Sequence, residues 1–343
     1  MTHVDERIRR GGAREQLDVV SIREDERPIG AGGEGVRLAR ERIHRDQGRI
    51  QPGGGRIQAA GGGSRAADDG SASSDYNRVM SSTPLLQFIE AHPPAGTREL
   101  GTLLCLHAFP LNAHMWDGQM LLAHHGWRII APHWRGVQTD EPAAESFDAM
   151  ADVVLELLAS QEVAWPVICG VSMGGYLAFA LLRKEPTLAR GLILCDTRAE
   201  ADVPQARDGR LKMLETLREQ GVSAVAEEML PRLLGKTTLA TKPRVAERVR
   251  ALALSNRATG VGGVITSMMN RADSTPTLSG ITCPTLVIVG EEDALTPPAM
   301  SQAMHAVISG SELIVFEQTG HLPNLEQPER FNATVERFLA ALP

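Results

Sequence analysis

The sequence predicts an α/β protein, a doubly wound and mostly parallel sheet with a helical segment inserted late in the chain. Three observations carry that expectation. From Leu85 onward short apolar runs alternate with stretches of helical period. One of these alternations is abnormally tight, "CGVSMGGYLAF" at 169 to 179, where a strand becomes a helix within a few residues. Between about 199 and 272 the alternation stops and helical patterns follow one another.

The elements can be justified in order. "LLQFIEA" and "GTLLCLH" read as early strands, and a helix is expected after Trp116. "WRIIAPH" is the next strand. "EPAAESFDAMADVVLELLAS" is amphipathic, with Met150, Val153, Val154, Leu157 and Leu158 on one side. "WPVICG", a helix after Ser172 and the strand "RGLILCD" follow. The stretches "GRLKMLETLREQ", "VSAVAEEMLPRLL" and "RVAERVRALALSN" read as cap helices. "CPTLVIVG" and "ELIVFE" resume the strands, and "PERFNATVERFLAAL" closes the chain as a helix.

The 343 residues change character near residue 80. Residues 1 to 79 hold no Phe, Trp or Lys but many Gly and Arg, too little apolar surface to offset chain entropy. The expected organisation is therefore a disordered or artefactual leader over 1–79, with Met80 as the functional start. A core follows over 80–198, then a helical cap over 199–272 and the rest of the core over 273–343. A net charge of -7 gives no reason to expect nucleic acid or an anionic membrane as partner. The acid-bearing N-terminus is not a secretory signal. Cys105, Cys169, Cys195 and Cys283 have no metal-binding spacing and read as unpaired thiols, which suits a reducing, cytoplasmic setting.

Chemistry concentrates on Ser172. A turn from strand to helix leaves no room beside the serine, which accounts for Gly170 and Gly174 in the pattern G-x-S-x-G. A serine hydroxyl needs a histidine base, itself oriented by a carboxylate. Only His305 and His321 follow Ser172. His305 falls in a helical stretch and reads as a surface residue, whereas His321 stands in a loop after the final strand. Asp293, after "TLVIV", is the expected acid; Asp196, ending "LILCD", competes with it, and Glu292 is expected to point away. Charge developing on the substrate oxygen needs backbone donors, expected at Met173 and at Phe109. His107 reads as a brace for the Phe109 loop rather than a base.

With these residues assembled, the chain resembles the α/β-hydrolase superfamily over residues 85 to 342. "GVSMGG", "GEEDALTPP" and "GHLPNLEQPERF" carry the resemblance. "LHAFPLNAHMW" is similar to the oxyanion-loop motif, with Ala108 in the glycine position. "PHWRGVQTD" is similar to the Asp-x-Arg-Gly-x-Gly segment, with His133 for its acid and Gln138 for its second glycine. The resemblance implies a capped, metal-free and cofactor-free serine hydrolase, its insertion between the sixth and seventh core strands. It also implies an acid at Asp293. The nearest branch is that of esterases, enol-lactonases and cofactor-free perhydrolases. Epoxide hydrolases and haloalkane dehalogenases use an aspartate where Ser172 stands. The two tyrosines, Tyr76 and Tyr176, both lie outside the cap.

The expected activity is cleavage of carboxylic esters through an acyl-enzyme. Enol-lactone or carbon–carbon bond hydrolysis in aromatic catabolism is the alternative, and a ligand-binding receptor-like member the alternative of another class. Expected partners are a small ester and, at most, further copies of the chain as a monomer or small homo-oligomer. Phe109, Leu111, Met229 and Leu322 are the expected pocket wall. One or two of the cap methionines Met213, Met229, Met268 and Met269 would roof an apolar space for small or medium acyl groups.

Overall fold

The computed structural model describes Leu86–Pro343. The leader over 1–79 and the start at Met80 lie outside the described residues. Among the described residues seven strands form one sheet in the order β1-β3-β2-β4-β5-β6-β7. They are β1 (Phe88–Ala91), β2 (Gly101–Leu106), β3 (Trp127–Pro132), β4 (Val167–Val171), β5 (Gly191–Cys195), β6 (Thr285–Gly290) and β7 (Glu312–Phe316). Among the described strands only β1 runs antiparallel, against β3, and the other pairings are parallel.

Burial explains the strand sequences. All residues of β4, β5 and β6 are buried, so these strands read as unbroken apolar runs such as "LVIV". Edge strand β1 alternates between half-buried and buried residues, and edge strand β7 is largely uncovered. Helix α1 (Phe147–Ser160) begins at Ser146, whose hydroxyl accepts from the Ala149 N–H. It lays Met150, Val154, Leu157 and Leu158 on the sheet, while Val153 sits half-buried at the margin. Helix α2 (Met173–Lys184) is buried from Met173 to Leu182, as expected of a helix clamped between the sheet and its neighbours.

The helix expected after Trp116 starts earlier. A tight helical segment spans Ala113–His125, because Asn112 caps it by accepting from the His114 N–H. Between β5 and β6 the chain leaves the sheet for α3 (Pro204–Leu233), α4 (Lys236–Thr241), α5 (Pro243–Leu254) and α6 (Ala258–Met269). The insertion thus falls between β5 and β6, the fifth and sixth strands among the described residues. Within α3 the helical dihedrals break at Gly221, whose φ of 79° divides the helix in two. Helices α7 (Pro298–Val307), α8 (Pro323–Glu326) and α9 (Pro328–Ala340) complete the fold.

No helix among the described residues is long and apolar enough to cross a membrane. Cys105, Cys169 and Cys195 are buried and free, and Cys283 is free and partly buried.

Candidate active site

The site forms at the carboxyl ends of the central strands, where parallel sheets place their clefts. Ser172 occupies the turn from β4 to α2 with φ 54° and ψ -113°, a conformation costly for a residue with a Cβ. Three hydrogen bonds hold it there. Its N–H donates to the Cys195 carbonyl at 2.9 Å, and its own carbonyl accepts from Gly175 N–H at 2.9 Å and Thr197 Oγ1 at 2.7 Å. The glycines answer to space. A Cβ on Gly170 would lie 2.5 Å from the Gly174 backbone, and one on Gly174 would overlap the Leu106 carbonyl.

His321 sits on the loop after β7, and its ring is 1% exposed. Its Nδ1 lies 2.8 Å from Asp293 Oδ2. Asp293 is fixed in turn. Leu295 N–H donates to its Oδ1 at 2.8 Å, Thr296 N–H at 3.1 Å, and the Thr296 hydroxyl donates to Oδ2 at 2.5 Å. Burial opposes ionisation of Asp293, but His321 and the Thr296 donors outweigh it and hold the carboxyl well below its usual range. An ionised carboxylate can only accept, so the His321 Nδ1 carries the proton and Nε2 presents a lone pair.

Asp196 does not compete for that histidine. It ends β5 with φ 43°, fully buried, and its Oδ1 accepts from Gly290 N–H at 2.8 Å. Its other oxygen has no partner among the described residues. Burial, and then the negative charge of Asp293, push its carboxyl well above the usual range. Its role is to pin the end of β6, not the passage into the inserted helices. Glu292 also points away, to the Thr237 backbone and hydroxyl at 2.9 and 2.7 Å. His305 is half-buried and bonded to Ser311 Oγ at 2.8 Å, remote from the cleft.

Met173, the first residue of α2, has no preceding turn to take its N–H. The Phe109 N–H likewise has no partner among the described residues. Two groups position the Phe109 loop. His107 Nδ1 donates to the Ala108 carbonyl at 3.1 Å and its Nε2 accepts from the Trp134 N–H at 3.0 Å, so it braces the loop as expected. Burial lowers its pKa to about 4, which keeps it neutral for that double duty. Asn256, between α5 and α6, donates to the carbonyls of Pro110 at 2.6 Å and Leu111 at 3.2 Å. It accepts from Asn112 Nδ2 at 2.8 Å.

A cavity of about 300 Å³ joins these parts, lined by Phe109, Ser172, Thr296 and His321. The Ser172 hydroxyl makes no hydrogen bond among the described residues, and such bonds tighten in many hydrolases only when substrate arrives. Met213, Met229 and Met268 line the cavity from the inserted helices, as does Tyr176 from α2. Leu111 and Leu322 do not. Leu111 turns into a small apolar space beside Val137, Val261 and Val264. Leu322, directly after His321, is fully buried in the core. Nor is the cavity apolar: Arg198, Arg210, Arg232 and Glu228 share its wall.

Sequence reasoning also missed Glu326. Buried to 1% exposure, it accepts from the N–H groups of Gly320 at 3.0 Å and Leu322 at 3.1 Å, the two neighbours of His321. It also accepts from Gly235 at 2.9 Å. The quoted stretch "GHLPNLEQP" contains it, but nothing in the spacing says that it folds back on the histidine.

A strained serine, a buried histidine–aspartate pair and two unpaired backbone N–H groups around one cavity define a site of the serine-hydrolase type. A family model described as the alpha/beta hydrolase fold matches residues 101–328. The chain belongs to that family. Among curated relatives, 3-oxoadipate enol-lactonase 2 of Acinetobacter baylyi is 27% identical over 246 residues, 71% of this chain and 90% of the relative. A pimeloyl-[acyl-carrier protein] methyl ester esterase of Neisseria meningitidis is 29% identical over 68% of this chain and 91% of the relative. Among solved structures, a thermophilic esterase from Thermogutta terrifontis with malate bound is similar at 37% identity and a TM-score of 0.71. That match covers 76% of this chain and 96% of the esterase.

Proposed function

We propose that this chain hydrolyses carboxylic esters through Ser172, His321 and Asp293. The His321–Asp293 contact of 2.8 Å, facing the same cavity as the strained Ser172, is the observation that carries the reading. Ser172 Oγ attacks the ester carbonyl while His321 Nε2 takes its proton. Asp293 holds the imidazole and stabilises the imidazolium that forms. The N–H groups of Phe109 and Met173 receive the developing oxyanion. His321 then passes the proton to the leaving alcohol. Water, deprotonated by the same nitrogen, releases the acid and restores Ser172.

The alternative reading, enol-lactone hydrolysis, needs no other machinery, since a lactone is an internal ester. The likeness to 3-oxoadipate enol-lactonase 2 supports it. A receptor-like role would leave the same residues intact without turnover. We place the protein in the cytoplasm on its unpaired cysteines, acting as a monomer or small homo-oligomer on a small ester.

A fluorophosphonate probe with peptide mass spectrometry tests the reading, together with a panel of acyl esters, lactones and ring-fission diketones. Labelling at Ser172 with ester or lactone turnover is expected. Absence of both labelling and turnover overturns it.

A further inference from the structure

Three guanidinium groups surround one carboxylate beside the catalytic cavity. Asp202, its side chain fully buried, accepts from Arg198 Nη2 at 2.7 Å, Arg210 Nε at 3.2 Å and Arg271 Nη1 at 2.6 Å. Burial would raise the Asp202 carboxyl, but Arg210 and Arg271 pull it below its ordinary range, so it stays ionised at neutral pH. The cluster therefore keeps a net charge of +2. One carboxylate does not need three guanidinium partners, and the arginines divide by where they face. Arg271, 3% exposed, is spent on structure: it donates to the carbonyls of Met268 and Glu200 and stacks 4.2 Å over the Tyr176 ring. Arg198 and Arg210 instead line the cavity that holds Ser172 and His321. The buried Nε of Arg198 has no hydrogen-bond partner among the described residues. Arg232 and Glu228, both exposed on the same wall, offset each other.

Positive charge in a cleft with low-dielectric walls selects ligands of opposite sign. Planar guanidinium forks with free donors fit a carboxylate best. We infer that the substrate is an ester or lactone carrying a second, free carboxylate, held by Arg198 and Arg210 while Ser172 attacks the ester carbonyl. This inference rests on the hydrolase reading and deepens it. It also replaces the apolar acyl space expected from the methionines: Met213, Met229 and Met268 would cover the methylene chain between the two functional groups.

The test compares monomethyl esters of succinic, glutaric and adipic acids with the corresponding dimethyl esters. A second series compares acetate esters of hydroxy acids with those of the matching alcohols, which places the carboxylate on the leaving group. In at least one series the anionic ester should show kcat/KM about tenfold or more above its neutral partner, the scale of a charge-assisted hydrogen bond. Intrinsic reactivity runs the other way, because a nearby carboxylate slows hydroxide attack. Arg198→Gln and Arg210→Gln should each lower that ratio toward one. Free dicarboxylates should inhibit hydrolysis of the neutral esters competitively. These last measurements use the unaltered protein, so they stand if an arginine variant fails to fold. Equal or better turnover of neutral esters in both series, without dicarboxylate inhibition, overturns the inference and leaves the hydrolase reading intact. If no ester is cleaved and Ser172 resists the fluorophosphonate probe, the hydrolase reading fails and this inference with it.

Discussion

The carboxyl groups of Asp196 and Asp293 approach within 4.8 Å of each other, and their surroundings drive them to opposite charge states. Asp293 has a histidine and three further donors; Asp196 has one backbone N–H and a buried oxygen without a partner. Two close carboxyls cannot both ionise cheaply, so the one with more hydrogen-bond donors and the histidine beside it keeps the charge. This explains why one sheet edge can carry two aspartates yet present a single acid to His321.

Substitution should separate them. Asp293→Asn should keep the fold and lower kcat by about 10³ to 10⁴-fold, as when a catalytic histidine loses its orienting carboxylate. Asp196→Asn keeps a neutral acceptor for Gly290 and should leave kcat within about threefold, inside the small effect expected of a group outside the proton path. Steady-state kinetics on an ester that the wild type turns over decides it; exchanged behaviour would make Asp196 the triad acid.

Stability against pH should also depend on Asp196. Its carboxyl is raised in the folded state, so the folded chain binds this proton more tightly than the unfolded chain. That contribution is fully present below the unfolded value of about 4 and is lost as pH rises through the raised folded value. Wild-type stability should therefore fall relative to Asp196→Asn as pH rises above the unfolded value of about 4 and toward the raised folded value. Urea denaturation at several pH values measures the difference; a gap independent of pH would show that Asp196 is ionised in the fold.

Glu326 should act through His321. Glu326→Gln keeps one acceptor oxygen but turns an NH₂ group toward backbone donors. Stability should drop by about 1–3 kcal/mol, the cost of unsatisfied buried donors. Activity should drop more than ten-fold in kcat with little change in KM, because the loop on both sides of the base loosens. Equal losses in kcat and KM would point to a general structural effect instead.

Gly174→Ala probes the nucleophile turn directly. The added methyl overlaps the Leu106 carbonyl in the neighbouring strand, and backbone cannot rotate away as a side chain can. A loss of about 3 kcal/mol is expected, the upper part of the overpacking range. Thermal unfolding of the purified variant checks it.

The sequence makes the strands legible because central parallel strands are apolar on both faces, and "LVIV" or "GLILC" leaves little else to be. The chemistry of Ser172 is legible for a similar reason: its turn is so cramped that the glycines beside it have to appear in the text. His321 follows from chain order and loop position, whereas chain order leaves Asp196 beside Asp293 and the resemblance of "GEEDALTPP" chooses between them. The pocket is legible only in part: Phe109 and Met229 line it as expected, Leu111 and Leu322 do not. Leu111 and Leu322 sit next to functional residues yet face the core, and sequence adjacency carries no information about which way a loop residue turns. Arg198, Arg210 and Asp202 look like ordinary surface charges until the insertion folds them against the cleft. Glu326 goes unread in the sequence, because only the folding of α8 (Pro323–Glu326) turns its carboxylate back onto the N–H groups of Gly320 and Leu322.

Asn256 ties two mechanical parts of the molecule together. Its amide grips the carbonyls of Pro110 and Leu111, so the linker between α5 and α6 and the loop bearing the Phe109 N–H form one stiff unit. Swinging that side of the roof outward would have to rupture these bonds or drag the Phe109 backbone with it. The wall built by α3, whose helical dihedrals break at Gly221, lies outside this pair of bonds, so a change in its curvature leaves the Phe109 backbone where Asn256 holds it.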